Sequence, residues 1–263
     1  MTSLKISSDP FFIPFITSHE AYAIPDRFTL FLKGDPHPLC SLAAEQLQNY
    51  LKTQDAWKHN FGLSHDDEGV VVGKMFGVLV VKNQHNELGY LAAFSGKLAG
   101  SNDHDFFVPP VFDLLIEKSF LNTGMEKLSL MNVEIKIVEE RKNIADEEEI
   151  KKLKTARKNY SIALQQEIFE RYHFLNKAGE EKSLNELFKN ASYKNPPSGA
   201  GECAGPKLLQ YAFQQSMNPI ALVEFWWGQS PKSSTWKHGH FYACCKEKCE
   251  PILAHMLVGI DSE

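Results

Sequence analysis

The sequence predicts an α/β (α+β) fold: a three-layer arrangement around a mixed sheet, carrying a long helical-hairpin insertion and an irregular N-terminal arm. Three observations predict it. Helical apolar periodicity alternates with short, fully apolar runs on both sides of the chain's middle. Residues 111–189 are nearly free of Gly and Pro and dense in Glu, Lys, Ile and Leu, the composition of long helices. Residues 1–38 are rich in Pro, Phe and Ser, with one β-like run at 28–32, so this arm lies over the core without regular structure.

The elements follow in order. Leu39, Leu42, Ala43, Leu47, Tyr50 and Leu51 recur at three- and four-residue steps behind Pro38, which marks an amphipathic helix ending near Thr53. KMFGVLVVKN and LGYLAAFSGKL, parted by the polar residues 84–87, make a buried antiparallel hairpin. Gly77, Gly89 and Gly96 permit close backbone approach or a bulge there. In the helical region, Leu128, Met131, Ile135 and Val138 form a stripe that can face Leu153, Tyr160, Leu164, Ile168 and Phe169 across a turn at 143–146. Its charge runs are a solvated face or an arm that contacts RNA or a partner. After the loop ASYKNPPSGAG a helix starts at Cys203 and runs through Leu208, Leu209, Ala212 and Phe213. Residues 219–227 read as a strand buried on both faces, and 251–256 as a last helix with Pro in its first turns. The domain division is therefore 1–38 for the arm, 39–110 with 193–263 for the core, and 111–192 for the inserted hairpin.

Composition bounds the function. At 263 residues and 43% hydrophobic content the chain can fill a sizeable core. A net charge of −5 gives no global basic field, so nucleic-acid binding must rest on a local patch. MTSLKISSDPFFIPF lacks the basic start and apolar run of a signal peptide, and no apolar stretch approaches the roughly eighteen residues of a membrane span, so a cytoplasmic protein without membrane contact is expected. Five cysteines, three of them within 244–249, suit a reducing compartment with metal-binding or buried thiols.

Without the hairpin the order is helix, strand, strand, helix, strand, helix, which resembles the core of the cytidine-deaminase-like fold. Zinc deaminases place one Cys or His and a Glu at one helix start, and two Cys at the next. Here Cys203-Ala204-Gly205 stands at the first position, and Cys244-Cys245 with Cys249 at the second. Helix N-termini lower thiol pKa, so Cys203, Cys245 and Cys249 are candidate zinc ligands, with His238 or His240 as a candidate fourth; the alternative is thiols that simply pack between helices and sheet. The proton-shuttling Glu is replaced by Gly205, and Glu202 would need a different backbone path, so deaminase turnover is not expected. Cys40 near His37 makes no dyad, and Ser95 lacks the flanking pattern of a nucleophile elbow. Trp226, Trp227, Trp236 and Tyr242 interleave with Lys232, Lys237, His238 and His240; with Lys207 they offer a surface for unpaired RNA, Trp227 and Trp236 stacking and the others holding phosphate, or else they are core and edge packing.

The strings GECAGPKLLQYAF, EFWWGQSPKSS, KHGHFY and CEPIL with HML resemble the long N-terminal region of a bacterial subset of RluA-type RNA pseudouridine synthases. DPHPLCSLAAEQLQ, GYLAAFSGKL and FVPPVFDLL look like the same region, so the resemblance spans nearly the whole chain. It implies a non-catalytic accessory domain that binds or positions structured RNA (rRNA or tRNA) beside a pseudouridine synthase catalytic domain. The His-Arg-Leu-Asp motif on which that isomerase chemistry depends is absent, and no catalytic residue carries over. On this reading the chain is an excised N-terminal region or a short standalone version. The alternative expectation is a zinc-dependent deaminase-like domain, active or degenerate.

Overall fold

Three apolar strands with alternating side chains define the centre of the molecule. The computed structural model describes residues 9–16, 21–64, 68–113, 120–141, 146–189, 195–231 and 235–261. The architecture is mixed α/β. β1 (Ile13–Pro14), β2 (Thr29–Leu30), β3 (Lys74–Lys82), β4 (Leu88–Phe94), β7 (Asn218–Trp227) and β8 (Phe241–Tyr242) form one sheet in the order β1-β4-β3-β7-β2, with β8 also on β7. β3 is antiparallel to both β4 and β7, and β2 is parallel to β7.

The period of two sorts the side chains. Phe76, Val78 and Val80 of β3, Tyr90, Ala92 and Phe94 of β4, and Val223, Phe225 and Trp227 of β7 enter one core with α1 (Pro38–Thr53), which contributes Leu39, Ala43, Leu47 and Leu51. Leu79, Val81, Leu91, Ala93 and Leu222 face the other way, against α5 (Ala204–Gln214) and α6 (Glu250–Met256). Gly77 is required at that second interface, because a Cβ there would lie 2.9 Å from the Ala204 Cβ.

α2 (Phe120–Glu140) and α3 (Glu147–Arg171) pack through Gly124, Leu128 and Ile135 of one and Leu164 of the other; a Cβ on Gly124 would meet the Leu164 methyls at 2.6 Å. Residues 143–145 of the expected turn fall outside the described residues. The expected helical region ends earlier than composition suggests. After Arg171 the chain forms a hairpin, β5 (His173–Leu175) with β6 (Glu181–Ser183), and the short α4 (Leu184–Phe188). The turn is fixed locally: Asn176 Oδ1 accepts from Glu180 N at 2.9 Å, and Gly179 takes φ +84°. Ser183 and Glu186 then close a capping box on α4. Tyr172, Phe174, Leu184 and Phe188 join the core around α5 and α6, forming a further layer over those helices.

The expected irregular arm contributes pairing at two places. β1 lies antiparallel on β4, and β2 lies parallel on β7, so both flanks of the sheet are covered by short strands.

Candidate metal centre

The site is built at the start of α5. Cys203 is its N-cap, in an extended conformation with no side-chain capping bond, so the sulfur is left for other partners. The first backbone N–H groups of the helix have no intrahelical acceptor and find partners elsewhere. Ala204 N donates to Ser95 Oγ at 3.3 Å, and Gly205 N donates to Glu224 Oε1 at 2.9 Å. The third position is Pro206, which has no N–H to satisfy.

The second segment of the site is 244–249, coil and turn ahead of α6. Cys249 N donates to Cys245 O at 3.1 Å, a turn that returns the chain by four residues and starts α6 immediately afterwards. The three residues between Cys245 and Cys249 thus bring both thiols together. Cys245 Sγ and Cys249 Sγ are 3.4 Å apart. With Cys203 their sulfurs lie within 4.8 Å of one another, the set of this kind found among the described residues. Three thiolates at about 2.3 Å from a common zinc would be separated by on the order of 4 Å, so the donor set and its dimensions fit that metal.

The three sulfurs share protons unequally. Hydrogen bonds shared with the Cys203 and Cys249 sulfurs, together with the N–H groups of Lys248 and Cys249, pull Cys245 far below the ordinary thiol range. The same bonds push Cys203 and Cys249 upward.

Glu224 completes the surroundings, and sequence reasoning missed it. It is 4% exposed in the middle of β7. Burial pushes its carboxyl up to about 7, partly offset by the bond from Gly205 N. A Cβ on Gly205 would lie 3.1 Å from Cys244 Sγ and 3.5 Å from Glu224 Oε1, so the carboxylate from the strand approaches the place where a side chain at 205 would begin. Cys244 shares a hydrogen bond with Glu224, and burial raises its thiol pKa. The signal was a single acidic residue inside NPIALVEFWW, since a charge in a doubly buried strand must be held for a reason.

The other predicted site residues separate. Lys207 is a correction to the RNA expectation: it is 2% exposed, and its ammonium donates to Phe94 O at 3.2 Å and Gly96 O at 3.4 Å beside Glu202 at 3.6 Å. Burial lowers its pKa, partly offset by Glu202, and Tyr172 Oη donates to the same carboxylate. Helix α5 is buried nearly all round, so a lysine within it cannot face solvent. Trp227 is also interior, at 3%, on the α1 side of the sheet. His238 is exposed; it packs on Trp227 at 4.3 Å and accepts from Gly228 N, which holds it on the α1 side of the sheet, away from the thiols on the opposite face. His240 and Lys237 are exposed, and neither histidine enters the sulfur group. Trp236 is half-buried, stacked on Trp226 at 5.8 Å and met edge-on by Tyr242 at 4.6 Å. Lys232 falls outside the described residues.

No described helix is long and apolar enough to cross a membrane. Comparison with family models, with curated proteins and with solved structures finds no match to this chain.

Proposed function

We propose that this chain is a non-catalytic accessory domain of an RluA-type RNA pseudouridine synthase: it holds structured RNA for a catalytic domain and carries a zinc-thiolate centre in a deaminase-like scaffold. The carrying observation is the meeting of Cys203, Cys245 and Cys249 sulfurs within 4.8 Å, from the starts of two helices on one face of a sheet. The scaffold reading is supported by strand order β4-β3-β7 with the middle strand antiparallel to both neighbours, and by α5 and α6 on one face with α1 on the other. Zinc in this place would join the loop before α5 to the segment before α6, linking two stretches about forty positions apart. The accessory role is supported by Gly205, which offers no proton where a deaminase needs a carboxylic acid, and by the absence of a His-Arg-Leu-Asp motif.

RNA contact is assigned to the edge at β8. There Trp226, Trp236 and Tyr242 form a partly exposed aromatic stack beside exposed Lys237 and His240.

Metal analysis and RNA titration test the two halves of this reading. Protein purified without chelator is expected to hold about one zinc per chain, and Cys203→Ser and Cys249→Ser to hold far less. Binding of a structured rRNA or tRNA fragment is expected to weaken steeply with salt and to weaken further in Trp236→Ala. Metal-free protein with three reduced thiols would remove the zinc centre, and RNA binding insensitive to Trp236 would remove the assigned surface.

A further inference from the structure

We propose that the outward face of α2 is a self-association surface, on which the same helix of a second copy lies antiparallel around a two-fold axis between Met131 and Asn132. Helix α2 is apolar on two opposite sides. Gly124, Leu128, Ile135 and Val138 are buried on the side that packs on α3. Leu130, Val133 and Ile137, spaced by three and four residues, share the far side and are 70%, 54% and 51% exposed. A groove of about 830 Å³ runs along that side from Asn122 to Val133, bordered by Met125. A helix with a second apolar stripe is only half partnered in a single copy.

The same spacing continues to Glu126 and Glu140, which makes this stripe the seam of a coiled-coil pair, with Lys127 and Glu134 on one flank and Ser129 and Lys136 on the other. The charges choose direction and register. A parallel pair would set Glu126 on its own copy and Lys136 against Arg141. An antiparallel pair slid by one heptad brings Lys127 to Lys127 in one direction and Glu134 to Glu134 in the other. Between these lies the register in which Leu130 of each copy meets Val133 of the other, Glu126 lies over Ile137 by its methylene stem, and Lys127 meets Glu134 twice. Lys127 is already held on that flank, its ammonium 4.3 Å over the Tyr160 ring of α3.

A second copy is assigned because the pattern is complementary to itself: a two-fold axis carries each lysine onto the glutamate it needs, as an isologous contact requires. Nucleic acid does not suit this side, since Glu126, Glu134 and Glu140 stand on or beside the seam and repel phosphate. The contact is small. Three aliphatic side chains from each copy, with two reciprocal ion pairs, sit at the low end of stable interfaces, which bury about 1,200–2,000 Å² in total, so the dimer is weak and reversible. The two helical hairpins join through their α2 helices, and the metal centre and the β8 edge take no part.

The experiment is sedimentation equilibrium on the full chain from micromolar to submillimolar concentration. Wild type is expected to pass reversibly from monomer to dimer as concentration rises. Leu130→Glu changes an exposed position, should keep the wild-type circular dichroism spectrum, and should stay monomeric throughout. Lys127→Glu and Glu134→Lys each oppose like charges at both contacts and should each weaken association by about tenfold or more. Mixing those two variants in equal amounts should restore the wild-type affinity, because a mixed pair has opposite charges at both contacts. Misfolding of either variant could not be repaired by mixing. A wild type that is monomeric at every concentration, a dimer that survives Leu130→Glu, or a pair of charge variants that mixing does not restore would each overturn the proposal.

Discussion

The two faces of the central sheet are made from the same three strands and are filled in opposite ways. Towards α1 the core is aromatic hydrocarbon: Phe76 lies 6.0 Å from Phe225 and 5.7 Å from Phe107, and Phe94 meets Phe107 at 5.1 Å. Towards α5 and α6 the same sheet carries Glu224, Lys207, Gln210, His255 and four cysteines among its aliphatic side chains. Burying such groups is costly unless each is partnered, and here each partnership ties one element to another. Gln210 accepts from Leu175 N at 2.9 Å, and His255 pairs with Phe174 O at 3.0 Å. The α1 face is filled by packing, whereas the α5 face buries polar groups whose partners tie its elements together.

The contrast can be broken most strongly from the dry side. Phe76→Ala removes a fully buried ring at the centre of the aromatic cluster and is expected to cost about 4 kcal/mol in urea unfolding, with the metal content of the remaining folded protein unchanged. A cost under about 1 kcal/mol would show that this face is not the stabilising one. On the other side, Lys207→Met leaves Glu202 with Tyr172 alone and is expected to cost about 3 kcal/mol. Adding Glu202→Gln should recover much of that loss; strict additivity of the two changes would mean that the pair is not coupled.

A third effect, of about the same size as the second, depends on pH. Glu224 has an ordinary carboxyl pKa of 4.5 in the unfolded chain and about 7 in the fold. Between those values the folded protein retains a proton that the unfolded chain has released. Stability of the metal-free protein therefore falls as pH rises from about 4.5 through about 7 and levels off above, by about 3 kcal/mol. Glu224→Gln should flatten that slope, and an unchanged profile in the variant would assign the pH dependence elsewhere.

What could be read in advance follows the range of the forces concerned. The β3–β4 hairpin was legible because two apolar runs flank four polar residues, and α1 because its stripe repeats locally. The meeting of the thiols was legible too, since helix starts fix where a cysteine points. The β5–β6 hairpin was not, because three-residue strands give too little alternation to stand out in a charged helical background. Lys207 was misplaced for a different reason. A lysine is read as exposed by default, and only the residues brought against α5 by tertiary packing reveal that its ammonium has backbone carbonyls and a carboxylate to replace water. Glu224 shows the same failure from the other side, an acid absorbed into an apolar run.

The pairing of β2 with β7, reinforced by the bond from Phe28 N to Asp261 O at 2.9 Å, bears on how the molecule is assembled during synthesis. The segment that seals this flank leaves the ribosome early, whereas the strand it seals against is made about 190 residues later. Until then the nascent chain must keep that segment from mispairing. Contacts so distant along the polypeptide make folding slow relative to chain length, and a delayed C-terminal half would leave an unsealed sheet as the vulnerable intermediate.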